Sequence, residues 1–181
     1  MKTTQVILVD ENDKQYDIIE KMEAHKKGLL HRAFSVFVFN DKGEVLLQQR
    51  ALAKYHSGGL WTNACCSHPQ PDEDILLAAK RRMAEEMGFN IPLQKIFHFI
   101  YKAEVDKGLI EYEFDHVFAG EYSGAIKFNK EEVMDVCYKD MQAIRLSLQS
   151  DPQKYTAWFK LAFPKIEDYW NQRYKNKVAR G

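Results

Sequence analysis

Several things are scarce in this sequence, and each scarcity removes a class of function. Only 3 of the 181 residues are cysteine, at positions 65, 66 and 137. An odd, sparse set with two adjacent members cannot build a disulfide framework, and it fits a reducing compartment with free thiols. There is no excess of charge of either sign: 26 Lys+Arg stand against 26 Asp+Glu. That balance argues against non-specific nucleic-acid binding and against a polybasic membrane-surface protein. No apolar run is long enough to span a bilayer, and the opening segment MKTTQVILVDEND carries too short an apolar run for a signal-peptide core. A soluble, cytoplasmic protein without a membrane partner is expected. Repeats, low-complexity tracts and Pro/Gly/Ser-rich linkers are missing too, so the expectation is one domain over residues 1–181.

What is present is ordinary globular material, 45% hydrophobic and 29% charged, in a chain long enough to bury a core without cross-links. Residues 5–9 read as a short strand followed by a turn over 10–14. Residues 33–39 form a dense β-branched and aromatic run. With the Asn40-Asp41-Lys42-Gly43 turn and a return strand over 44–49, they predict a hairpin. A second hairpin is predicted from 96–105 and 109–121 around Asp106-Lys107-Gly108. A helix is predicted after Pro71, with Asp72 as N-cap, Leu76, Ala79, Met83 and Met87 as its apolar face, and Gly88 as its stop. Toward the C-terminus a helix over 140–148 precedes a segment capped by Asp151 with Pro152 in its first turn; Pro164 is expected to break or kink that segment. The fold class is α/β of the α+β kind, a mixed or antiparallel sheet flanked by helices.

The most specific chemical signal runs from Ser67 to Phe89. Glu73 and, after a spacer of seven, Arg81-Arg82-Met83-Ala84-Glu85-Glu86-Met87-Gly88-Phe89 resemble the Nudix box, with Ser67 where its glycine belongs and Arg82 in place of its first helical glutamate. A box that uses glutamates to gather several Mg²⁺ ions is weakened for hydrolysis when one carboxylate becomes a cation. A place to bind diphosphate remains. At roughly 100° per residue, Arg82 and Glu86 lie only about 40° apart on one side of a helix. Arg82 would grip diphosphate directly, and Glu86 through Mg²⁺. An isolated pair of this kind is more often a solvated ion pair; the box spacing reverses those odds.

Strand periodicity puts Glu111 and Glu113 on one face, away from Ile110, Tyr112 and Phe114. Adjacent carboxylates repel, so they need a metal, a cation or solvent; the plainest alternative is the outward face of a hairpin. His25, His31 and His68, each unremarkable alone, would complete an N/O site for a divalent ion if they met there. Sequence spacing does not bring them together.

The segments Glu20-Lys21, His25, His31-Arg32-Ala33-Phe34-Ser35, Gln49-Arg50-Ala51-Leu52-Ala53-Lys54, Leu60-Trp61-Thr62-Asn63-Ala64-Cys65-Cys66-Ser67-His68-Pro69, Tyr101 and Glu111-Tyr112-Glu113 resemble, in matching order, the type I isopentenyl diphosphate isomerases, a branch of the Nudix superfamily. The resemblance implies a Nudix-type fold with extra C-terminal helices. It implies isomerisation of isopentenyl to dimethylallyl diphosphate, and a monomer acting on a small diphosphate. It makes His25, His31, His68, Glu111 and Glu113 ligands of one divalent metal, Mg²⁺, Mn²⁺ or Zn²⁺, and Glu86 the ligand of a second Mg²⁺ carried by the substrate. It makes Cys66 the catalytic cysteine and Glu113 the second acid/base group, assisted by Tyr101. It places Trp158 over the hydrocarbon end and makes Lys21, Arg50, Lys54 and Arg82 the contacts of the diphosphate. Cys65 has no role in that pattern. Protonating an unactivated alkene and passing a tertiary carbocation calls for two acid/base groups across the substrate, an aromatic face and exclusion of water. The competing readings are a Nudix pyrophosphohydrolase acting on a nucleotide or other diphosphate, and a catalytically silent diphosphate- or metal-binding module.

Overall fold

The computed structural model describes residues 4–174. Residues 1–3 of the opening segment, and both ends of the one-domain reading of 1–181, lie outside the described residues. Strands β1 (Gln5–Val9) and β2 (Gln15–Glu20) lead into a short helix α1 (Lys21–Lys27). Then come β3 (His31–Phe39), β4 (Val45–Arg50), β5 (Trp61–Asn63), β6 (Cys65–Ser67), α2 (Ile75–Met87), β7 (Gln94–Val105), β8 (Leu109–Glu121), β9 (Val133–Lys139), α3 (Met141–Ser150) and α4 (Ala157–Arg173).

β3 is the strand around which the molecule is organised. Along one edge it pairs in parallel with β8, from His31↔Glu113 to Phe39↔Glu121. Its other edge is shared in turn by β1 at His31, β6 at residues 34–36 and β4 at Phe39. β7 pairs antiparallel with β8, and β4 is flanked by β5 and β9. The sheet is therefore mixed, as expected. Because side chains alternate, Phe34, Val36 and Val38 pack beneath Ala78, Ala79, Met83 and Met87 of α2, whereas Phe37 and Phe39 pack against Phe159, Phe163 and Ile166 of α4. Helices thus cover both faces. The odd-numbered residues of β3 and β8 all share the α4 face.

Several local expectations need correction. The predicted 33–49 hairpin closes only at its turn. Asn40 Oδ1 accepts from the N–H groups of Lys42 and Glu44, but β3 and β4 pair at Phe39↔Val45 alone and then part to other neighbours. The cap of α2 is Asp74, not Asp72: its carboxylate accepts from the N–H groups of Leu76 and Leu77. Asp151 and Pro152 open only a 3₁₀ turn without a side-chain cap, and α4 starts one step later, capped by Thr156. Pro164 does not break α4, which runs unbroken to Arg173. Pro164 and Lys160, whose carbonyl it leaves without its helical donor, both lie on the exposed side, where that carbonyl is open to solvent.

One buried histidine outside the site gives the fold a pH dependence. His116 on β8 reaches Asp13 Oδ2 at 2.9 Å through Nε2. Burial pushes its imidazole down to about 4 from 6.5, against the pull of Asp13. The unfolded chain therefore binds this proton first, so stability is complete above pH 6.5 and is lost as pH falls toward 4. Between pH 7 and pH 5 the wild-type protein should lose about 2 kcal/mol more than His116→Gln. Urea midpoints at the two pH values measure this, and parallel losses would contradict it.

Candidate active site

Four neighbouring strands bring the proposed residues to the α4 face. The rung across β7, β8 and β3 sets Tyr101, Glu113 and His31 side by side. The rung between β3 and β6 sets Ser35 beside Cys66. α1, unpredicted from the sequence, contributes Lys21 and His25 one turn apart; it ends at Gly28, whose φ of +61° turns the chain toward His31.

One ligand atom from each of His25, His31, His68, Glu111 and Glu113 lies within 4.8 Å of all the others. The ring Nδ1 of His25 donates to Lys21 O at 2.7 Å and that of His31 to Leu29 O at 2.8 Å. A carbonyl only accepts, so both rings carry a proton on Nδ1 and turn Nε2 inward, the nitrogen left to ligate a cation. His25 Nε2 lies 3.1 Å from Glu111 Oε1, and His68 Nε2 lies 3.0 Å from Glu113 Oε1 and 3.2 Å from His31 Nε2. Burial pushes His68 down to about 3, outweighing Glu113, so this ring is neutral and able to offer a lone pair. Glu111 and Glu113 are 2% and 8% exposed, which removes the reading of an outward hairpin face. The buried Oε2 of Glu111 has no hydrogen-bond partner. Three convergent imidazoles, two buried carboxylates and an orphaned carboxylate oxygen fit a divalent cation.

Strand alternation separates the adjacent cysteines. Cys65 is fully buried in the core under α2, whereas Cys66 opens on the opposite face. The Cys66 thiol donates to Asn63 Oδ1 at 3.0 Å and accepts from Trp158 Nε1 at 2.9 Å. Asn63 is pinned in turn, because its Nδ2 donates to Val36 O and Cys65 O at 3.0 and 2.9 Å. Burial first, then the nearby Asp115, pushes the thiol up to about 12; solvent in the cavity that leaves Cys66 half-buried tempers that rise. Tyr101 donates its hydroxyl to Glu113 Oε2 at 2.7 Å, and burial lifts the phenol well above its ordinary value.

Cys66 and His68 face two adjoining cavities. The larger, about 380 Å³, is also lined by Lys21, Arg50, Lys54 and Arg82. The smaller is enclosed by Arg50, His56, Tyr101, Glu111, Glu113 and Trp158 around Cys66. All four proposed diphosphate cations therefore share one wall system with the thiol. Burial, with Lys54 and Arg82 nearby, lowers the pKa of Lys21, the mark of crowded positive charge waiting for an anion. Arg50 also stacks on Trp158, its guanidinium carbon 5.2 Å from the ring centroid, and donates to His56 O at 3.0 Å.

Glu86 sits behind this wall. It is 4% exposed, its Oε1 accepts from Arg82 at 2.5 Å and its Oε2 from Gln48 at 3.0 Å. Arg82 also holds Glu85 at 2.5 Å. A cation thus occupies the middle of the carboxylates that a Nudix hydrolase would use to collect metals. Glu132, on the cavity wall, pairs with Lys54 and lies 3.5 Å from Arg82.

Sequence reasoning missed His56, Asn63 and Glu132. Asn63 lies inside the Trp-Thr-Asn motif, where its spacing to Cys66 was a usable signal. His56 and Glu132 sit in loops, and only tertiary structure brings them to the site.

Comparison with known proteins places these features in a lineage. The NUDIX domain pattern matches residues 29–159. The chain is 48% identical over 180 residues to the isopentenyl-diphosphate Delta-isomerase of Pectobacterium atrosepticum, covering 99% of this chain and 100% of that one. It is 46% identical over 169 residues to isopentenyl-diphosphate Delta-isomerase 2 of Photorhabdus laumondii, covering 91% and 96%. Among solved structures, DR0079 from Deinococcus radiodurans superposes with a TM-score of 0.75 at 13% identity, covering 89% of this chain and 98% of that one, a likeness of fold.

Proposed function

This chain belongs to the isopentenyl-diphosphate Delta-isomerase family of NUDIX-domain proteins, and from that premise we propose how its residues divide the work. The protein is an isomerase interconverting isopentenyl and dimethylallyl diphosphate by a 1,3-proton shift. One group adds a proton to the terminal alkene carbon, a tertiary carbocation forms, and a second group removes a proton from C2. The observation that carries the assignment is the placement of Cys66 and Glu113 in one small cavity next to the cationic wall.

Lys21, Arg50, Lys54 and Arg82 bind the diphosphate, so binding energy at the remote end positions the reacting carbons. Arg82 is shared between Glu86 and the cavity, and Glu86 would be the carboxylate that holds an Mg²⁺ carried by the substrate diphosphate. Cys66, set between Asn63 and Trp158, and Glu113, hydrogen-bonded by Tyr101, are the two proton-transfer groups, one entering the reaction protonated as the acid and the other deprotonated as the base. His25, His31, His68, Glu111 and Glu113 would hold Mg²⁺, Mn²⁺ or Zn²⁺, which when bound withdraws electron density from the Glu113 carboxyl and strengthens it as an acid. Trp158 closes the hydrocarbon end, offers its ring to the cation and keeps out water that would trap it as an alcohol.

The same reading makes residues 1–181 one catalytic domain, working as a monomer on a free small molecule without nucleic-acid or membrane partners. No helix among the described residues is long and apolar enough to cross a membrane. A thiol that must stay reduced fits the cytoplasm. The test is incubation with isopentenyl diphosphate and Mg²⁺ or Mn²⁺, followed by NMR and a phosphate assay. Dimethylallyl diphosphate without phosphate release is expected. Phosphate release without isomerisation would instead give the protein to the pyrophosphohydrolases.

A further inference from the structure

His56 belongs to none of the groups assigned so far, yet it is one of the most completely buried polar residues in the site, at 1% exposed. It comes from the loop between β4 and β5. That loop is built at some cost in backbone energy. Ser57 holds a φ of +52°, a left-handed conformation that serine seldom adopts, with its N–H donated to Asp106 Oδ1 at 2.6 Å across the tip of the β7–β8 hairpin. Gly58 approaches so closely that a Cβ there would meet Leu52 O at 2.6 Å. The carbonyl of His56 accepts from Arg50, and its Nδ1 lies 3.0 Å from Ser57 Oγ. Strain, clasp and close packing thus deliver one imidazole to one place.

That place is the far side of Glu111. His56 Nε2 lies in close contact with Glu111 Oε1 but off the line of a hydrogen bond, so it counts among the buried polar atoms lacking a partner, as does Glu111 Oε2. The His56 ring is 5.8 Å from that of His25 and meets Trp158 edge-on at 5.7 Å. It is not one of the five residues whose ligand atoms converge. An unpartnered imidazole nitrogen against one oxygen of a ligand-cluster carboxylate whose other oxygen is also unpartnered describes an orienting pair.

We propose that His56 is a positioning residue for the metal site, donating its Nε2–H to Glu111 and fixing the rotamer in which that carboxylate ligates. This rests on reading the His/Glu cluster as a divalent-metal site. Ser57 Oγ, by donating to Nδ1, selects the tautomer that leaves the proton on Nε2.

The test is Mn²⁺ affinity of the isolated protein, read by EPR or calorimetry without substrate, in the wild type and in His25→Ala, His56→Ala, His56→Gln and His56→Asn. The Gln amide nitrogen reaches where Nε2 sits; that of Asn stops near Nδ1. His56→Ala and His56→Asn should weaken Mn²⁺ binding by about 10–100-fold, as loss of an outer partner of a metal ligand does. His56→Gln should recover most of the affinity. A residue that merely fills space would give no such difference between Gln and Asn. If His56→Ala fails to fold, the Gln/Asn pair decides. Wild-type affinity in both, with binding still abolished by His25→Ala, would overturn the role of His56 and leave the metal site standing. Equal Mn²⁺ affinity in the wild type and His25→Ala would overturn the metal site itself, and this role with it.

Discussion

Replacing Cys66 by alanine is expected to lower kcat by about 10³–10⁴-fold, the scale of a lost general acid or base, with the circular dichroism spectrum unchanged. Replacing Cys65 should cost no more than a few-fold in kcat. The two thiols are adjacent in sequence and opposite in direction. Cys65 lies fully buried with Phe34, Ala79 and Met83 in the core beneath α2, where losing its sulfur costs about 1 kcal/mol of stability. Cys66 shares the α4 face with Ser35 and Trp158 and opens on the cavity. Its proton has a defined direction, because Asn63, with its amide nitrogen committed to two carbonyls, presents only an oxygen to it. Comparable losses in the two variants would mean that the effect is structural. A larger loss for Cys65→Ala would mean that the wrong thiol has been assigned.

The second large effect is expected at Glu113. Its Oε2 accepts from Tyr101 at 2.7 Å, and its Oε1 lies 3.0 Å from His68 Nε2 and 3.5 Å from His31 Nε2. One carboxylate therefore faces both the ligand cluster and the reaction cavity. Glu113→Gln keeps the shape and loses the titrating group. It should weaken Mn²⁺ binding and, at saturating Mn²⁺, still leave kcat about 10³–10⁴-fold below wild type. Steady-state kinetics over a Mn²⁺ series separate the two contributions. Full recovery of kcat at high metal would reduce Glu113 to a ligand and remove it from proton transfer.

Much of this site was legible before the fold was known, because its chemistry is written in fixed local patterns. Trp-Thr-Asn-x-x-Cys-x-His-Pro, the altered Nudix box and Glu-x-Glu are each a short continuous stretch of chain. The structure joins them through the β3–β8 parallel pairing, which no local pattern encodes, since the partners are about eighty residues apart in the chain. The elements that went unread are short or carry mixed polarity. α1 has seven residues, two of them buried, and β5 and β6 have three each. Such pieces owe their conformation to tertiary partners rather than to propensity. The misplaced cap has a similar cause. Asp72 and Asp74 are equally good caps in isolation, and Asp72 takes a left-handed φ of +63° that leaves the capping position to Asp74. His56 stayed hidden because a loop histidine between Tyr55 and Ser57 has no periodicity. Its inward position depends on tertiary contacts, the clasp from Asp106 and the hold of Arg50 on its carbonyl among them.

The central claim is that two protein groups exchange a proton with two substrate carbons. Running the isomerisation in D₂O and following it by NMR tests it most directly. The account predicts dimethylallyl diphosphate with deuterium in the methyl group formed from the terminal alkene carbon. It also predicts that neither Cys66→Ala nor Glu113→Gln forms that product at a comparable rate. Product formed without deuterium at that carbon, or wild-type turnover in either variant, would contradict it.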